Sequence, residues 1–122
     1  MTPVFLDTVG LLALWDTADQ WHAPASRAFS RLQGLEADLF TTTYVLAETA
    51  NAAARKPYRS DVDALREKLE TGRTLIVPSD DDWRFAWQAY RQGVAGDAGL
   101  VDHLSFVVMR RSGIRDCVDR AD

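Results

Sequence analysis

The chain is 122 residues long, 47% hydrophobic and 26% charged, with a formal net charge of −4. That length fits one domain spanning residues 1–122 rather than two, and the hydrophobic fraction excludes a disordered chain. The single cysteine, Cys117, excludes an internal disulfide and a cysteine-rich zinc site, and a negative balance taken alone argues against a general nucleic-acid binder.

The N-terminal Met1-Thr2-Pro3 has no basic segment and no long apolar segment behind it, so no secretory signal is expected. Nor does any apolar run reach the roughly 18 residues of a membrane span. A lone thiol fits a reducing, cytoplasmic setting. Val4-Phe5-Leu6 is short and apolar and predicts a buried strand that ends at Asp7. Leu11, Leu12, Leu14 and Trp15 follow at helical spacing, and Ala25, Ala28, Phe29, Leu32 and Leu35 predict a second helix over about 22–35. Leu39-Phe40-Thr41-Thr42 is β-prone. Val45, Leu46, Thr49 and Ala53 form the inner stripe of a helix from Thr43 to Arg55, closed by Pro57. Ser60 with Asp63 resembles a capping box for a helix that carries Val62, Leu65 and Leu69 and stops at Gly72.

Thr74-Leu75-Ile76-Val77 before Pro78 is the clearest strand. Ser79 then caps a helix whose first turn is Asp80-Asp81-Asp82, with acids at its positive end. Trp83, Phe85, Ala86, Trp87 and Tyr90 give that helix its apolar content; together with Trp15 and Trp21, these tryptophans read chiefly as core or interface, with base stacking as the lesser reading. Leu100 to Arg111 is the last helix, ended by Gly113, and Ile114 to Val118 a last strand. Helical segments alternating with short apolar strands imply right-handed crossovers and a parallel sheet. The expected fold is a three-layer α/β/α sandwich around a short central parallel sheet. Ligands on such sheets bind beyond the carboxyl ends of the strands, which is where Asp7 falls.

Three acids sit among apolar neighbours: Asp7 after Val4-Phe5-Leu6, Glu48 after Val45-Leu46-Ala47, and Asp102 between Val101 and His103-Leu104. A buried carboxylate needs a partner, and no lysine or arginine lies within one helical turn of any of them. Convergence at the sheet edge would make them repel, and a divalent cation bound by hard oxygen donors would relieve that. Taken singly, each also fits a structural role: a helix cap at Asp7, an exposed helix position at Glu48, a cap or a distant arginine partner for Asp102.

With those residues in view, the sequence resembles the PIN domain, and within it the VapC-type ribonuclease toxins. Four segments carry the resemblance: Val4-Phe5-Leu6-Asp7-Thr8; Thr41-Thr42-Thr43-Tyr44-Val45-Leu46-Ala47-Glu48-Thr49; Leu100 through Asp102 to the Met109-Arg110-Arg111-Ser112-Gly113-Ile114 ending; and Cys117-Val118-Asp119-Arg120. The resemblance implies a PIN-like fold and a Mg2+- or Mn2+-dependent endoribonuclease, with Asp7, Glu48 and Asp102 as metal ligands. It implies Asp119 as a fourth catalytic acid, for which Asp122 is the other candidate. Thr8 would support Asp7 from behind or reach a metal-bound water, and Asn51 would face the same cleft. It also implies an RNA substrate, a cognate antitoxin protein and a homodimer. Gly99 stands where the family usually has Ser, which removes a capping hydroxyl.

RNA requires positive charge. Arg55, Lys56 and Arg59 follow the Glu48 helix, and Arg110 and Arg111 end the Asp102 helix. They read either as a basic rim around an acidic pit or as caps at helix ends. His22 and His103 lack zinc spacing, and His103 reads as a packing residue. Two other readings stay open: a PIN-like domain that chiefly binds a partner protein, and a stand-alone RNA-processing nuclease.

Overall fold

Val4, Phe5 and Leu6 are all buried. Neighbouring residues of a strand point to opposite faces of a sheet, so this strand is covered on both sides. In the computed structural model, which describes residues 2–118, it is β1 (Pro3–Leu6). The remaining elements follow in order: α1 (Thr8–Trp15), α2 (His22–Gly34), β2 (Asp38–Thr42), α3 (Thr43–Ala53), α4 (Arg59–Thr71), β3 (Leu75–Ile76), α5 (Asp80–Gln92), α6 (Leu100–Ser112) and β4 (Asp116–Val118). Asp119 and Asp122 lie outside the described residues.

The sheet is wholly parallel in the order β3-β2-β1-β4. Phe5 is in register with Phe40 on one side and Cys117 on the other. The chain winds outward from β1 through β2 to β3, then crosses back to set β4 on the other edge of β1. The strand order therefore reverses between β1 and β4, which is where open α/β sheets form their ligand crevice.

One core cluster joins Val4, Phe5 and Leu6 to Leu11, Phe29, Val45, Val108, Ile114 and Val118. A second gathers Leu46, Ala53, Tyr58 and Val62 from α3, α4 and the turn between them. This is the α/β/α sandwich expected from the sequence. No described helix is long and apolar enough to cross a membrane.

Several local expectations change: the last strand shortens from Ile114–Val118 to Asp116–Val118, and the helix from Thr43 ends at Ala53 rather than Arg55. The helix assigned to a Ser60 cap starts at Arg59 without a side-chain cap. Tyr58 fixes its start instead, buried against Trp15 with ring centroids 6.2 Å apart. That tertiary contact overrides the local signal, and Asp63 pairs with Arg66 rather than closing a box. The strand expected over Thr74–Val77 shortens to Leu75–Ile76. It lies at the sheet edge, Val77 is exposed, and Pro78 offers no N–H to extend the ladder.

Candidate active site

Asp7 stands between β1 and α1. Its backbone N–H donates to Val118 O of β4, and its carbonyl accepts from Leu11 N in the first turn of α1. The residue has extended backbone and its side chain does not cap the helix. The backbone on either side of Asp7 is fixed by a set of buried threonines. Thr41 Oγ1 donates to Leu6 O at 2.6 Å, which holds the end of β1 to β2. Thr42 accepts from Val45 N and starts α3. Thr49 Oγ1 donates to Val45 O at 2.7 Å and lies 3.4 Å from Thr8 Oγ1. Thr8 Oγ1 itself donates toward Val45 O at 3.5 Å. The hydroxyl of Thr8 thus ties α1 to α3.

Asp102 is at the third position of α6, and its carboxylate accepts from Gly99 N at 3.2 Å. Gly99 has no side chain to complete a capping box, so only this half forms. A cavity of about 420 Å³ opens between β1, β4 and α6, lined by Asp7 and Asp102 with Phe5, Val9, Ser105, Phe106, Met109 and Cys117. Two carboxylates nearly the length of the chain apart in sequence therefore share one crevice at the strand-order reversal. No basic side chain is among the described residues that line it.

Glu48 is exposed on α3 and does not line this cavity. Among the described residues, no three histidine, cysteine, aspartate or glutamate side chains come together closely enough to hold one ion. Asn51 lines a different groove, between α3 and α4, with Arg59, Asp63 and Arg66. The donor set that the structure does bring together, Asp7 with Asp102, consists of hard oxygens. Magnesium is commonly held by one or two protein carboxylates, with water and phosphate completing its shell, and the pair fits that pattern.

The expected basic rim divides. Arg55, Lys56 and Arg110 are exposed. Arg111 is engaged elsewhere: its Nε donates to Asp82 Oδ1 at 2.9 Å and its Nη2 to Asp82 Oδ2 at 2.7 Å. Asp82 is buried at the first turn of α5, where its carboxylate also accepts from Ser79 N, and Ser79 Oγ accepts from Asp82 N. The Arg111 guanidinium and the Ser79 N–H hold the Asp82 carboxyl below its ordinary value, against the opposing effect of burial. This ion pair joins the start of α5 to the end of α6 and so braces the helix that carries Asp102. Arg111 is a fork that holds a buried acid through its Nε and Nη2, while its side chain stays 49% exposed.

An aromatic run was not anticipated. Tyr44, Trp83, Trp87, Tyr90, His103 and Phe106 form one connected series of ring contacts from α3 across α5 to α6. Its trace in the sequence is the spacing of Trp83, Trp87 and Tyr90, which places three rings on one face of α5.

No family model and no curated protein matches the sequence. Solved structures do match. The Mycobacterium tuberculosis VapC20, a sarcin–ricin loop cleaving toxin, superposes with a TM-score of 0.77 at 24% identity, over 95% of this chain and 88% of that one. FitAcB from Neisseria gonorrhoeae superposes with a TM-score of 0.59 at 15% identity, over 91% of this chain and 83% of that one. Among the described residues, six helices around a four-stranded, all-parallel sheet in the order β3-β2-β1-β4 thus give this chain the PIN-like α/β/α fold of the VapC20 structure.

Proposed function

We propose that this chain is a metal-dependent endoribonuclease acting as the toxin of a toxin–antitoxin pair. The observation that carries the reading is the pairing of Asp7 and Asp102 on one crevice at the strand-order reversal. Likeness in fold to a sarcin–ricin loop cleaving toxin supports RNA as the substrate class. In this reading Asp7 and Asp102 hold Mg2+ or Mn2+. Such an ion supplies an activated water and stabilises charge at phosphorus.

The chain's own residues do the positioning. Thr41 and the β1–β4 pairing fix the backbone before Asp7, and Gly99 N orients the Asp102 carboxylate. Glu48 and Asp119 are the further acids of the proposal. Glu48 stands exposed on α3, and Asp119 follows β4 in sequence, two residues after the cavity-lining Cys117. Arg55, Lys56 and Arg110 serve as phosphate-holding rim residues. Hydrolysis leaves a 3′ hydroxyl and a 5′ phosphate. A cognate antitoxin and a second copy of the chain are the proposed protein partners.

The test is RNA cleavage with Mg2+ or Mn2+, comparing wild type with Asp7→Asn and Asp102→Asn. Loss of about 100-fold or more in either folded variant is expected. Variants that cleave like wild type refute the site. The position of Glu48 outside the cavity favours a second reading, a domain that binds a partner without cutting RNA. Absence of cleavage and of metal uptake in wild type would select it.

A further inference from the structure

Resting on that ribonuclease reading, we infer that the aromatic run from Tyr44 to Phe106 is a stacking track for the bases of single-stranded RNA. Ring centroids are 5.8 Å apart for Tyr44 and Trp83, 5.9 Å for Trp83 and Trp87, and 5.3 Å for Trp87 and Tyr90. The series continues at 6.2 Å to His103 and 6.0 Å to Phe106. His103 is buried and Trp87 half-buried, so these two are the packed links. Tyr44, Trp83, Tyr90 and Phe106 are 38–47% exposed and are the open stations. Rings of this size left in water forgo the burial that core rings have, and a contiguous set of them marks a contact surface.

Three features favour RNA as the occupant. The run joins the helices of two proposed catalytic acids: Tyr44 is one turn before Glu48 on α3, and Phe106 is one turn after Asp102 on α6. Phe106 also lines the Asp7–Asp102 cavity, so the track ends at the place where a phosphodiester must arrive. Second, among the described residues the series is unbranched, each inner ring touching one ring before it and one after. A path one ring wide suits a single strand, whose every base offers a π-face, better than the broad face of a protein helix. Third, Arg91 beside Tyr90 and Arg110 one turn beyond Phe106 are exposed and form no ion pair among the described residues. Exposed cations flanking aromatic rings provide for the phosphates between stacked bases.

The test measures binding in EDTA, so that cleavage does not enter. The probes are a labelled single-stranded RNA oligonucleotide, the same sequence as a duplex, and an abasic ribose-phosphate oligomer of equal length. Wild type should prefer the single strand, with its tryptophan fluorescence quenched on binding. Trp83→Ala and Tyr90→Ala should each weaken single-strand binding about tenfold. Trp83→Phe should stay close to wild type, and none of these variants should alter binding of the abasic oligomer. Circular dichroism checks that each variant is folded. Folded alanine variants that bind the single strand like wild type overturn the track, as does equal binding of base-bearing and abasic oligomers. So does unchanged RNA binding with loss of self-association, which would make the run a protein interface. Track-dependent binding without cleavage when Mg2+ is added would instead overturn the nuclease reading and leave the track standing.

Discussion

Replacing Arg111 with Met keeps much of the aliphatic stem and removes the fork that binds Asp82. The Asp82 side chain is 2% exposed and that of Arg111 is 49% exposed. Breaking a fully buried pair by removing one partner costs about 3–5 kcal/mol. Water reaches this guanidinium from one side, which screens the pair, and Asp82 keeps its hydrogen bond from Ser79 N. The expected loss is therefore smaller, about 2 kcal/mol at neutral pH. For a domain of this size that lowers the melting temperature by roughly 5–10 °C. Because Arg111 holds the folded-state carboxyl of Asp82 below its unfolded value, the contribution is fully present above the ordinary aspartate pKa of about 3.9. It is lost as pH falls from there through the folded value. Thermal melts followed by circular dichroism at neutral pH and in steps below pH ~4 should show the gap between Arg111→Met and wild type narrowing with acid. An Arg111→Met protein that melts like wild type at neutral pH would refute the brace. A gap that holds constant into strong acid would show that it does not come from the Asp82 charge.

Three smaller perturbations probe the parts that set the site. Ser79→Ala removes the hydroxyl that accepts from Asp82 N, and chemical denaturation should register a loss of about 1 kcal/mol. Thr41→Val keeps the side-chain shape but leaves the buried Leu6 carbonyl without its 2.6 Å donor. The expected cost by the same measurement is about 1–3 kcal/mol, with RNA cleavage falling further than stability alone explains, because the backbone before Asp7 loosens. Gly113 ends α6 at φ +70°, a left-handed conformation that a Cβ disfavours. Gly113→Ala should therefore destabilise by about 1–2 kcal/mol although nothing crowds the added methyl.

The fold was legible because its signals are local. Val4-Phe5-Leu6, the Ser79 cap with its run of three aspartates, and the Gly113 stop each announce themselves within a few residues. So the element order, the parallel sheet and most element boundaries could be read directly. The site was legible only in part. Asp7 and Asp102 stood out as carboxylates in apolar settings, and the structure brings both to one crevice. Glu48 shares that local pattern, yet its position at the edge of the α3 stripe leaves it in solvent, a matter of helix rotation that composition does not convey. Arg111 shows the opposite limit. It reads as a rim cation at a helix end, and its pairing with Asp82, 29 residues away, is not signalled locally. Asp82 in turn reads as one of three interchangeable acids at a helix start. Pairings at that distance depend on how α5 packs against α6. The aromatic run likewise needs three helices in place before its six rings connect.

The central claim is that the carboxylates of Asp7 and Asp102 together hold a divalent cation. Titration of the protein with Mn2+, followed by calorimetry or by the electron paramagnetic resonance of the free ion, tests it without requiring turnover. The account predicts saturable uptake by wild type that is lost or strongly weakened in both Asp7→Asn and Asp102→Asn, with each variant still folded. Mn2+ uptake that survives unchanged in either variant would contradict it.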